Sequence, residues 1–161
     1  VADELYFEDT LAWSESQAEL LRRLARGERV SDLDWPHVIE EIEDVGQTQL
    51  RALRSMLRQA LVHLLKVQGW PDCDAVPHWR LEVRHFLVEA RDCFAPSMRQ
   101  RVELAAVYLD ALDLVQADVI DGRKSGALPA ACPFVLDDLL VARPDLVALE
   151  AKLRPASGPA G

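Results

Sequence analysis

The stretch Trp35–Gln68, WPHVIEEIEDVGQTQLRALRSMLRQALVHLLKVQ, reads as one long helix with an acidic head, a basic middle and a histidine-bearing end. Asp34 precedes it and suits the N-cap, because its carboxylate can accept from the free N–H groups of the first turn. Pro36 lies in that first turn, where a missing N–H costs nothing. Gly69 and Pro71 form the stop signal, with Gly69 suited to a left-handed position after the last turn. Between these ends Val38, Ile42, Val45, Leu50, Leu53, Leu57, Leu61, Leu64 and Val67 recur at three- to four-residue spacing. That is the stripe of a core-facing helix. Gly46 interrupts it at a cost of about 1 kcal/mol relative to Ala; a close helix crossing or a break into two helices would each explain it. Unbroken, the segment spans about 50 Å.

Outward from this helix the chain repeats the pattern. Residues 1–8 are an acidic lead-in, and Asp9 is a candidate N-cap for LAWSESQAELLRRLARG. Leu11, Ala18, Leu21 and Ala25 form one stripe of that helix, Trp13, Leu20 and Leu24 the next, and Gly27 ends it. The short join ERVSDLD makes it an antiparallel neighbour of the long helix. After the loop GWPDCDAVP a third helix presents Trp79, Val83, Phe86, Ala90 and Phe94. Ser97 with Gln100 matches a capping box and opens a fourth helix, striped by Leu104, Tyr108, Leu112, Val115 and Val119 and stopped by Gly122. PFVLDDLLVA and PDLVALEAKL read as two short helices. No segment shows sustained period-two alternation. The expected fold is all-α: an antiparallel bundle of about four long helices with one or two short C-terminal helices, forming a single domain over 1–154 and a flexible tail over 155–161.

Half of the 161 residues are hydrophobic and 28% are charged, as in soluble globular domains. No apolar run approaches the roughly 20 residues of a membrane helix, and no signal-peptide pattern opens the sequence. Cys73, Cys93 and Cys132 are too scattered for a disulfide framework or a CxxC knuckle, so a cytoplasmic, reduced protein is expected. The net charge of −9 argues against bulk nucleic-acid binding. It is uneven, however. Residues 1–50 hold 13 acids and 4 bases, whereas residues 51–101 hold 5 acids and 9 bases. The basic middle either pairs with the acidic first third or forms a local phosphate patch.

Several short strings occur together: Tyr6 to Asp9 with Trp13, Gln17, Leu20 and Leu21; Asp34 with Ile39-Glu40-Glu41-Ile42-Glu43 and Gly46; His63-Leu64-Leu65-Lys66; Trp79-Arg80; and Cys132-Pro133-Phe134. In this order they resemble the bacterial family known as domain of unknown function 29, over nearly the whole chain. The resemblance implies an all-helical bacterial protein and no established activity. The chain departs from the family pattern at His37, where Asn is usual, and at Val67, where Trp is usual.

Three constellations carry candidate chemistry. Glu40 and Glu43 share a helix face, as do Glu41 and Asp44, and Glu89 with Asp92 supplies an ExxD on the third helix. Carboxylates so spaced can hold one Mg²⁺, the arrangement of a metal-dependent nucleotide or phosphoester hydrolase. The opposing reading is a solvated acidic face favoured by the helix dipole. His63 and Lys66 form a polar position near the end of the long helix, but His63 and Glu40 stand roughly 35 Å apart on an unbroken helix. Arg51, Arg54 and Arg58 line one flank and Arg80 and Arg84 another; facing each other they would clamp phosphate, and otherwise they bridge to acids.

Tyr6, Asp9, Trp13 and Gln17 fall at three- and four-residue steps. Structurally read, Asp9 caps, Trp13 packs, and Tyr6 and Gln17 bond to another helix. No Gly-rich phosphate loop, GxSxG or HExxH is present, and Cys132 has no nearby His in sequence. The leading expectation is a non-catalytic module that works through a protein partner or as a homo-oligomer. No cofactor is expected; Mg²⁺ enters only under the hydrolase alternative. Nucleic acid enters only through the arginine patch, and no membrane is expected.

Overall fold

Helix propensity and capping set the elements of the computed structural model, which describes residues 2–154. Among these residues there are seven α-helices: α1 (Ala2–Glu8), α2 (Thr10–Ala25), α3 (Trp35–Gly69), α4 (Val76–Cys93), α5 (Leu104–Ala117), α6 (Leu136–Leu139) and α7 (Leu146–Leu153). A 3-10 turn, Pro96–Met98, lies between α4 and α5. No strand occurs among the described residues; one isolated bridge joins Ile120 and Arg123. The all-α expectation is borne out. The expected tail over 155–161 lies outside the described residues. The chain divides into two compact units, one up to Thr48 and one from Gln49, with α3 running through the boundary.

In the N-terminal unit, Asp9 caps α2 by accepting from the Ala12 N–H at 3.0 Å. The acidic lead-in is itself a helix, α1, lying against α2. Trp13 and Gln17 are the buried residues of α2, whereas Leu11 (69% exposed) and Leu24 face solvent. The two leucine stripes expected for α2 therefore overstate its core face. Along the head of α3, Val38 is buried, but Ile42 is 68% and Val45 62% exposed. These two positions correct the single buried stripe read from the sequence. Gly46 is helical, and among the described residues a Cβ built there would meet nothing within 4 Å beyond its own helix backbone. Neither a break nor a crossing helix among the described residues explains it.

In the C-terminal unit the second half of α3 is the central rod. Leu53, Leu57, Ala60, Leu61 and Leu65 are fully buried, and Leu64 nearly so. Around it pack Val83, Leu87 and Ala90 of α4, Tyr108, Ala111 and Val115 of α5, Leu139 of α6, and Leu149 and Leu153 of α7. Tyr108 is buried with its hydroxyl donating to the Pro129 carbonyl at 2.7 Å. Asp145 caps α7 by accepting from the Val147 and Ala148 N–H groups.

Two boundary readings are corrected here. The Ser97/Gln100 box does not open the fourth helix. Residues 96–102 turn instead so that Met98 and Val102 plug the core (7% and 1% exposed), and Glu103, at φ 51°, separates that turn from α5. Burial of two apolar side chains outweighs a local cap worth about 1 kcal/mol. At its other end α5 stops at Ala117 rather than at Gly122, because Asp118 is extended and its carboxylate holds Lys66 Nζ at 3.0 Å; Val119 is consequently 51% exposed. Gly69 ends α3 as expected, but not through a left-handed turn, since positive φ among the described glycines occurs at Gly27 and Gly122. Its role is close approach: a Cβ there would stand 3.0 Å from that of Ser125, and its carbonyl accepts from the Gly126 N–H at 2.8 Å.

Candidate functional site

The N-terminal unit builds its polar centre at the start of α3. Asp34 occupies the N-cap position, and three donors converge on its carboxylate: Trp13 Nε1 at 3.1 Å, His37 Nδ1 at 2.8 Å and the His37 backbone N–H. Its own N–H donates to Gln17 Oε1 at 2.9 Å. Burial pushes the Asp34 carboxyl upward, but the bonds from His37 and Trp13 outweigh it and hold the pKa below the ordinary value. The Tyr6 ring stacks on the His37 ring (centroids 4.0 Å apart, planes 24°) and meets Trp13 edge-on at 4.9 Å. Its hydroxyl donates to Glu41 Oε1 at 2.8 Å. That bond, then burial and the charges of Glu40, Glu41 and Asp44, push the phenol up to about 12. Tyr6, Asp9, Trp13 and Gln17 thus take the structural roles that their spacing suggests. What the sequence reading missed is His37 as the hub; its three-residue step from Asp34 was the available signal.

Beside this clamp lies an acidic recess of about 340 Å³ lined by Tyr6, Glu40, Glu41, Glu43, Asp44 and Gln47. Glu89 and Asp92 lie on α4 in the other unit, exposed, with Asp92 3.3 Å from its neighbour Arg91. Among the described residues no group of three or more His, Cys, Asp or Glu is placed to hold a metal ion.

The C-terminal unit carries the other sequence candidates. His63 Nδ1–H donates to the Gln59 carbonyl at 2.8 Å, and its ring stacks on Phe86 at 5.7 Å. Burial lowers the imidazole pKa, with Lys66 and His78 acting the same way and the Gln59 carbonyl and Glu82 opposing. The neutral ring is therefore the folded form near pH 7. Because the folded pKa lies below the unfolded one, the stability due to His63 is complete above the unfolded value, about 6.5. It is lost as pH falls through the lower folded value. His63→Gln is expected to shrink the fall in Tm between pH 7.5 and pH 5.5; an unchanged fall would reject the assignment.

The arginine flanks do not form one cluster. Arg80 makes a bidentate bridge to Glu150 at 2.7 and 2.8 Å. Arg54 donates to the Arg101 carbonyl and stands 3.7 Å from Glu103. Arg58 lines a shallow groove with Gln59, Asp110, Asp113, Leu114 and Ala117. Arg51 and Arg84 are exposed. Burial raises the Cys132 thiol, the reverse of an activated nucleophile.

A family model described as "Domain of unknown function DUF29" matches residues 5–143. The chain belongs to the DUF29 family. The resemblance read from its short motifs is thereby borne out. A crystal structure of an α-helical protein of unknown function from Rhodospirillum rubrum ATCC 11170 is similar at 30% identity and a TM-score of 0.71. The match covers 93% of this DUF29 chain and 98% of that one. No curated protein matches. No helix of this DUF29 chain among the described residues is long and apolar enough to cross a membrane.

Proposed function

We propose that this helical protein acts by binding another polypeptide along the head of α3 and has no catalytic role there. One observation carries the reading. Trp35, Ile39, Ile42 and Val45 are 50–68% exposed on a single helix, and side chains three and four apart form a continuous surface. Scattered apolar residues on a surface are ordinary; four in sequence on one face are the anchor pattern of helix recognition. The polar groups beside them are tied into the clamp that starts the helix, with Asp34 held by Trp13 and His37 and Glu41 by Tyr6.

Light scattering and affinity capture, run on the wild type and on Ile42→Asp, test the proposal. A species assembled or retained by the wild type and lost in the variant supports it. A monomeric wild type that retains nothing more than Ile42→Asp retains overturns it.

A further inference from the structure

We infer that the polypeptide recognised at this face is an amphipathic helix with lysine or arginine along the flank of its apolar stripe that meets Glu40 and Glu43. The inference rests on the reading just given and adds the chemistry of the partner.

Three observations support it. First, Trp35, Ile39, Ile42 and Gly46 step by four, three and four residues, the spacing that keeps one seam facing a partner helix. At 3.6 residues per turn they fall within an arc of roughly 60°, and the seam is about three turns long. Second, Gly46 sits on that seam. It weakens a helix interior, and among the described residues nothing beyond its own helix backbone lies within 4 Å of where its Cβ would be. A second helix crossing at Gly46 could bring its backbone close, which a larger side chain would prevent. Third, one border is acidic. Glu43 follows the seam directly on one side with Glu40 behind it, both exposed, whereas Val38 and Val45 adjoin it on the other.

Charge selects among possible occupants. A second copy using the same patch would bring a second acidic border and a second acidic N-terminal third to the contact, since an isologous contact uses the same surface on both copies. Like charges in register cost several kcal/mol, and the first 50 residues hold 13 acids and 4 bases. A basic flank instead complements the Glu40 and Glu43 border of the seam and speeds encounter.

The test uses three synthetic fluorescent peptides of eighteen residues and the full chain. One has leucines at alternating three- and four-residue steps with lysine flanks. The second has the same leucines with glutamate flanks. The third has the composition of the first with its leucines scattered. Anisotropy titration is expected to show the first peptide binding at least tenfold more tightly than either of the others. Raising salt from 50 to 300 mM should weaken it severalfold. Ile42→Asp and Gly46→Leu should each lose at least tenfold. Both positions are exposed, so an unchanged or raised Tm shows that the variants fold.

Equal binding of the lysine and glutamate peptides, both lost in Ile42→Asp, overturns the charge inference and leaves the interaction reading standing. Equal binding of the scattered peptide, indifferent to Ile42→Asp, shows bulk attraction and overturns the inference. A concentration-dependent dimer dissolved by Ile42→Asp assigns the face to a second copy and overturns it as well. Binding of no peptide, with wild type and Ile42→Asp alike in scattering and capture, overturns both readings.

Discussion

Leu61→Ala is expected to destabilise the C-terminal unit by about 2–5 kcal/mol, the range for removing a fully buried leucine from a packed core. Leu61 is fully buried midway along the inner half of α3, among side chains of the same buried cluster from α4, α5 and α7. Truncation loses the transfer free energy of the missing carbons and leaves a cavity that four rigid helices cannot close. Such a loss is a large share of the 5–15 kcal/mol that typically separates folded from unfolded domains. Urea unfolding followed by far-ultraviolet dichroism measures it, with the midpoint falling and the slope nearly unchanged. Ile42→Ala, nineteen residues earlier on the same helix, is the contrast. Ile42 is 68% exposed, and its truncation should change stability by no more than about 0.5 kcal/mol. A loss at Ile42 matching that at Leu61 would mean that the outer face of α3 is covered.

Trp13→Ala should be comparably damaging to the N-terminal unit, about 3–5 kcal/mol on the scale of buried tryptophans. Trp13 is 3% exposed, its ring meets Tyr6 and His37 edge-on, and its indole N–H donates to Asp34. Its loss removes packing and leaves the capping carboxylate one donor short. The effect should reach the first turns of α3, because Asp34 also accepts from the His37 backbone N–H there. Hydrogen exchange at amides 38–42 is the direct readout, and it should quicken in Trp13→Ala. Trp13→Phe keeps one aromatic ring but deletes the donor and part of the indole volume, so it should cost less than Trp13→Ala and at least about 1.5 kcal/mol, the lower worth of a hydrogen bond to a charged group. Equal exchange in wild type and Trp13→Ala would show that the start of α3 does not depend on this clamp.

The parts that were legible in the sequence share one property: they are decided within a few residues. Asp9 caps α2 because its carboxylate reaches the Ala12 N–H three positions on. Leu53, Leu57, Leu61 and Leu64 share a face because a helix repeats every 3.6 residues. Where a distant element intervened, local reading failed. The Ser97/Gln100 box gave way to burial of Met98 and Val102. Arg80 reads as half of a phosphate clamp until Glu150, seventy positions away, arrives beside it. Lys66 likewise finds Asp118. His37 looked like a departure from the family pattern, yet it is the ring on which Tyr6 stacks.

Composition, periodicity and end signals were therefore enough to make this a helical chain with one dominant helix, since those quantities express short-range hydrogen bonding and side-chain spacing. Tertiary structure alone decided that Ile39, Ile42 and Val45 stay in water while Leu53 and Leu57 do not. Periodicity assigns residues to a face; only the arrival or absence of another element determines whether that face is covered.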